Sequence, residues 1–182
     1  MKKWNLYTGI MPHKILEKLG LKFDFLFLDT AHVRPGEFFN LIETLPFLNE
    51  NAIIVLHDTM WHLKLAMKMD KNLFNKKVKA TQIYLFSSLV GKKIILQRNA
   101  FNFANVGVVC LKERQEKYYL NYFLLLLNIW QYMPSNDQLK ELRKFIINYY
   151  KSELFVKIFD ISVHHNQIFF KNSNESEYKN FK

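Results

Sequence analysis

The sequence predicts an α/β fold in which a short parallel sheet leads into a helical C-terminal extension. Two apolar runs, Phe23-Asp24-Phe25-Leu26-Phe27-Leu28 and Ala52-Ile53-Ile54-Val55-Leu56, each stop abruptly at a polar group. Runs apolar on both faces fit buried parallel strands. Between them, Pro35-Gly36-Glu37 opens a helical pattern with Phe38, Leu41, Ile42 and Leu45 on one side. Strand, helix and strand in that order make a right-handed crossover, so both carboxyl ends share one edge. From Glu116 onward the spacing turns helical.

The other elements follow in order. Ile15, Leu16 and Leu19 sit at helical spacing after Pro12, and Gly20 stops that helix. Trp61 to Met69 reads as helix, and Thr81 to Val90 as helix or strand ending at Gly91. Lys93 to Gln97 and Val106 to Leu111 are β-branched runs that would close the sheet as a pair. Leu120, Phe123, Leu124 and Leu127 mark one helix. Pro134-Ser135 ends it and caps the next, which carries Leu139, Leu142, Ile146 and Tyr149. Another runs from Leu154 to about Val163, and a polar tail starts at Asn172. The expected division is an α/β part over 1–113, a helical extension over 114–171 and a tail over 172–182.

At 182 residues the chain can bury a core, and its 49% hydrophobic and 23% charged content excludes a disordered protein. The longest apolar stretch, Tyr118 to Trp130, is broken by Asn121 and Asn128, so no membrane span is expected. Met1-Lys2-Lys3 leads into no apolar segment of a secretory signal, which points to the cytoplasm. Cys110, the single cysteine, offers no internal disulfide or cysteine metal cluster and reads as an inert core residue. The net charge is +10, but only Arg34, Arg98, Arg114 and Arg143 are arginines. Eight lysines from Lys64 to Lys93 face the single acid Asp70. They fall singly or in pairs, which reads as a solvated face more than a nucleic-acid surface. A basic RNA-binding protein stays as an alternative, with Lys76, Lys77, Lys92 and Lys93 as its test positions.

In open parallel sheets, ligands sit outside the carboxyl ends of the strands. That edge should carry Asp29, Thr30, His32, His57, Asp58 and Thr59. Neighbouring strands lie about 4.8 Å apart, so Asp29 and Asp58 could meet at one ligand. Two such carboxylates need a cation, a proton or a hydrogen-bond donor between them. Mg²⁺ would suit their oxygens, and His32 could then serve as a base at neutral pH. The competing reading makes Asp29 a partner of nearby amides and Asp58 a cap on the helix containing Trp61. His57 and Asp58, as successive strand residues, should point to opposite faces. His164-His165 reads as helix surface, and Trp61, Trp130 and Tyr149-Tyr150 as packing residues.

Residues 23–32, then Pro35-Gly36-Glu37, Leu45-Pro46-Phe47-Leu48 and residues 52–59, resemble class I S-adenosylmethionine-dependent methyltransferases. The likeness is to the branch with an Asp-x-x-His signature at strand four and a His-Asp or acidic pair at strand five. Asn105-Val106-Gly107 and Trp130-Gln131-Tyr132-Met133-Pro134-Ser135 resemble the later part of a bacterial subfamily. The likeness spans about residues 5 to 165. It implies a seven-stranded Rossmann-like sheet and transfer of a methyl group from a sulfonium to oxygen or nitrogen. On matching positions it implies Asp29 and Asp58 as Mg²⁺ ligands and His32 as the base, with His57 or Thr59 as third ligand.

The family also carries a Gly-x-Gly cofactor loop after strand one. The glycines here are Gly9, Gly20, Gly36, Gly91 and Gly107, and none forms that loop. Asn5-Leu6-Tyr7-Thr8-Gly9 resembles the segment around the third strand, so the chain reads as the acceptor-side half, a partial Rossmann-like sheet. It is expected to be a piece of a longer frame, one of two complementing polypeptides or a homo-oligomer, or an inactive remnant. An isolated half should expose the apolar strand that would pair with strand one. The acceptor stays open among sugars, polyketides, phenols and protein side chains, with cell-surface polysaccharide or a secondary metabolite preferred by analogy. A non-catalytic interaction module using the aromatic and Leu-rich helices is the other class.

Overall fold

A computed structural model describes residues 5–30, 33–59, 81–95, 105–112 and 115–172. Helix α1 (Pro12–Leu19) starts at its proline and stops where Gly20, at φ 62°, donates its N–H to the Leu16 carbonyl. Strand β1 (Phe23–Leu28) leads through a cis Arg34–Pro35 bond into α2 (Gly36–Thr44). A 3₁₀ turn at Leu45–Phe47 feeds β2 (Leu48–His57), which is longer than the apolar run predicts. Thr81–Ser88 forms helix α3, which settles the ambiguous stretch. Gly91 opens the next strand instead of ending the helix, giving β3 (Gly91–Ile95) and β4 (Val106–Leu111). The predicted helix from Trp61 and most of the lysine-rich stretch, Lys76 and Lys77 included, lie outside the described residues.

The sheet order is β1-β2-β4-β3. β1 and β2 are parallel, with Leu28 level with Leu56. β4 runs antiparallel to both β2 and β3, which leaves β3 parallel to β1 and β2. The start of β4 therefore lies at the same edge as the carboxyl ends of β1 and β2. That placement brings Asn105 to the predicted ligand edge.

One face of the sheet is covered. Leu28, Ile54, Leu56, Val109 and Leu111 are buried there in one cluster with Phe38, Leu41 and Ile42 of α2 and Leu85 and Phe86 of α3. Each such side chain contributes about 1.5–3 kcal/mol on burial. The expectation that both strands are buried on both faces fails, in β2 at Ile53 and most fully in β1. Among the described residues β1 is the sheet edge, and Phe25 and Phe27 are 58% and 51% exposed on the opposite face. Cys110 is on that face too and is half-buried, not the core residue expected.

The helical part begins with a 3₁₀ turn at Gln115–Tyr118, the short α4 (Tyr119–Leu124) and a second 3₁₀ turn at Leu125–Leu127. Because the helix tightens there, its 3.6 period does not persist. Tyr122, Phe123, Leu125 and Leu126 are buried, whereas Leu120, Leu124 and Leu127 of the predicted face are exposed. α5 (Asn136–Tyr150) opens with a reciprocal box: Ser135 Oγ accepts from the Gln138 N–H, and Gln138 Oε1 accepts from the Ser135 N–H. Lys151, at φ 47°, ends it. α6 (Glu153–Asn172) is longer than predicted and carries His164 and His165 at its surface.

These helices share the core of the sheet. Trp130 packs edge-on to Phe39 at 5.5 Å, and the buried Tyr150 hydroxyl donates to the Ile42 carbonyl at 2.6 Å. α1 is held through buried His13, whose Nδ1 lies 2.8 Å from Glu43 Oε2. Its backbone N–H donates to the same oxygen at 3.2 Å. No helix of the described residues is long and apolar enough to cross a membrane.

Candidate functional site at the strand ends

Three strand ends converge at the carboxyl edge of the parallel strands. β1 delivers Asp29 and Thr30, β2 delivers His57, Asp58 and Thr59, and the antiparallel β4 delivers Asn105. His57 still belongs to the sheet and pairs with Val106. Asp58 adopts a left-handed conformation, φ 55°, which turns its side chain off the strand's alternation. The expectation that His57 and Asp58 diverge is therefore corrected. His57 Nδ1 lies 3.2 Å from Asp29 Oδ1 and 3.5 Å from Asp58 Oδ1.

Asn105 completes the group by donating its amide N–H to Asp58 Oδ1, and its Nδ2 stands 3.5 Å from His57 Nε2. Repulsion between the carboxylates is thus relieved by an imidazole and an amide. Mg²⁺ demands oxygen ligands at about 2.0–2.1 Å in octahedral geometry. Here an imidazole nitrogen stands between the two carboxylates. Among the described residues no three His, Cys, Asp or Glu side chains are arranged to hold a metal. These donors do not fit a resident Mg²⁺.

Thr59 is fully buried, and its hydroxyl donates to the Leu56 carbonyl at 2.9 Å and accepts from the Gly107 N–H at 3.1 Å. Its own N–H donates to the Asn105 carbonyl at 3.2 Å. Thr59 therefore ties β2 to β4 and holds Asn105 in place. Gly107 permits that approach, since a Cβ would lie 2.7 Å from the Phe86 ring and 2.9 Å from Thr59 Oγ1. Thr30 turns the other way and donates its hydroxyl to Glu37 Oε1 at 2.7 Å. Glu37 is buried in the first turn of α2, where the helix N-terminus favours a carboxylate. His32 lies outside the described residues.

Beside this cluster, burial pulls the Arg34 guanidinium below its ordinary range, and it lies 5.8 Å over the Tyr84 ring. Burial also raises the Tyr132 phenol, with the Glu43 charge adding to the shift. The sequence reading missed Asn105 and Glu37 as members of this neighbourhood. The signal for Asn105 was its position just before a β-branched run, once that run is antiparallel. For Glu37 it was an acid in a helix's first turn after Pro-Gly.

Among the described residues, fold and site together define an α/β protein with a mixed four-strand sheet and a carboxylate–imidazole–amide cluster at the carboxyl edge of its parallel strands. Comparison with known proteins goes no further: no family model matches, and neither a curated protein nor a solved structure shows significant similarity.

Proposed function

We propose that the chain is the acceptor-side half of a protein resembling S-adenosylmethionine-dependent methyltransferases, inactive as an isolated chain. The observation that carries this reading is the convergence of Asp29, His57 and Asp58 at adjacent parallel strand ends, next to the sheet's uncovered margin. A doubly wound sheet binds ligands where strand one meets strand four, in the order 3-2-1-4-5-6. β1, β2 and β3 fit strands four, five and six of that order, with β4 inserted antiparallel. β1 then stands where strand one would pair.

The sulfonium cofactor supplies an electrophilic methyl group when bound, held by a complementary segment joined to this chain or separate from it. This chain's residues receive the acceptor, a small molecule or a sugar. His57, held through Nδ1 by the two carboxylates, and the Asn105 amide orient an acceptor hydroxyl at the β1–β2 edge. The test uses the native species captured from its source cell and irradiated with labelled S-adenosylmethionine. Label should enter the native species and not the isolated 182-residue chain. Absence of label in both contradicts the reading, and methyl transfer by the chain alone contradicts its inactivity.

A second reading, a non-catalytic interaction module, is favoured by the groove between α5 and α6. It has a volume of about 900 Å³. Ile147 of α5 and Ile161 and Ile168 of α6, the last two seven residues apart, line it and stand 44–49% exposed. A stable complex that forms without any sulfonium ligand and is lost on Ile161→Glu supports that module. The RNA-binding alternative gains nothing from Lys93, whose Nζ donates back to the Ser87 carbonyl at 2.8 Å.

A further inference from the structure

The segment Trp130-Gln131-Tyr132 stands out in the sequence, yet none of its residues belongs to the strand-end cluster. Its contacts lie on Arg34 and Gly36, at the entry to α2. The Gln131 N–H donates to the Arg34 carbonyl at 2.9 Å, and the Arg34 N–H donates to Gln131 Oε1, also at 2.9 Å. Both backbone groups of Arg34 are therefore satisfied by one residue 97 positions away. Next to it, Tyr132 closes over Gly36 so tightly that a Cβ there would meet its hydroxyl at 2.7 Å.

The anchor for this contact is rigid. Trp130 is buried, donates its backbone N–H to Asn166 Oδ1 of α6 at 2.7 Å, and donates its indole N–H to the Leu126 carbonyl at 2.9 Å. Arg34 and Gly36, at the entry to α2, are thus held by a strut rooted in α6, and Glu37 in the first turn of α2 accepts the Thr30 hydroxyl at 2.7 Å. A shift of the first turn of α2 therefore reaches Thr30, next to Asp29, through the Glu37 carboxylate.

We propose that Gln131 and Tyr132 are positioning residues that brace the entry to α2 and thereby set Glu37 against Thr30, next to Asp29 and His57. The brace rests on the reading above only in taking that cluster as the working site.

Amide exchange at Arg34 and the imidazole NMR signals of His57, measured on the full chain, test it. Gln131→Ala should speed exchange at Arg34 by roughly five- to tenfold, the loss of one hydrogen bond, and shift the His57 signals. Gln131→Glu keeps an acceptor oxygen in place and should restore both. Gly36→Ala should move the same signals, and adding Tyr132→Phe should relieve it by removing the hydroxyl the Cβ meets. Wild-type exchange and unshifted His57 signals in Gln131→Ala overturn the proposal. So does a uniform loss of protection across α2 and β2 with no selective change at Arg34 and His57. Failure of the methyl-transfer reading appears separately, as an unlabelled native species, and leaves these readouts as they are.

Discussion

The two faces of the sheet carry similar apolar side chains and have different fates. Ile54, Leu56 and Val109 are completely buried under α2 and α3, while Phe25, Phe27, Ile53 and Ile94 on the other face are 38–58% exposed. Parallel strands ordinarily have helices over both faces, because each crossover must lie on one side or the other. The crossover from β1 to β2 supplies cover on one side only. Phe25 and Phe27 sit on the edge strand, beside backbone groups aligned to accept another strand. The exposed face and the β1 margin adjoin the Asp29–His57–Asp58 cluster. On the proposed reading, one complementary segment would both cover the face and complete the site.

Substitutions that distinguish the faces sharpen this comparison. The largest effect belongs to the covered side: Trp130→Ala should lower unfolding free energy by about 3–5 kcal/mol. Its counterpart Phe27→Ala should cost about 0.5 kcal/mol or less in the isolated chain. Equal costs in chemical denaturation would erase the distinction. Next comes Gly107→Ala, which forces a methyl group onto the Phe86 ring and the Thr59 hydroxyl and should cost about 1–3 kcal/mol. It should also displace Asn105, seen as a shift of the Asn105 side-chain amide signals. A smaller effect appears in alkali. Burial pushes Tyr119 and Tyr122 up to about 12 and raises Tyr150 well above its ordinary value. Unfolded phenols ionise near ~10, so the unfolded state releases protons first. Stability is intact below about 10 and is lost as pH rises toward 12. Tyr150→Phe should weaken that pH dependence, and a denaturation midpoint flat from 9 to 12 contradicts it.

Much of this was legible because local chemistry sets element ends. Pro12 and Gly20 bracket α1, and Ser135 with Gln138 starts α5. The polar stops after both strands place Asp29 and Asp58 at one edge. What was not legible depends on partners distant in sequence or on backbone detail. The pattern of β1 cannot say whether Phe25 and Phe27 have cover, since that cover comes from other elements. Leu120 and Leu124 fit the buried face of a regular helix, but α4 turns Tyr122 and Phe123 inward instead, and Leu127 ends outward in the 3₁₀ turn that follows. His57 and Asp58 meet because Asp58 takes a positive φ, which side-chain alternation ignores. The His13–Glu43 pair joins residues 30 apart and has no local signature.

Hydrogen exchange at the amides of Phe23–Leu28, compared between the isolated chain and the native species from its source cell, tests the central claim most directly. The account predicts fast exchange in the isolated chain at those amides of β1 not bonded to β2, and marked protection in the native species. Buried Ile54 and Leu56 should remain protected in both. Equal exchange of β1 in the two samples, at the same intact mass of 21.9 kDa, would mean that this edge is never covered, and would contradict the assignment of an acceptor-side half.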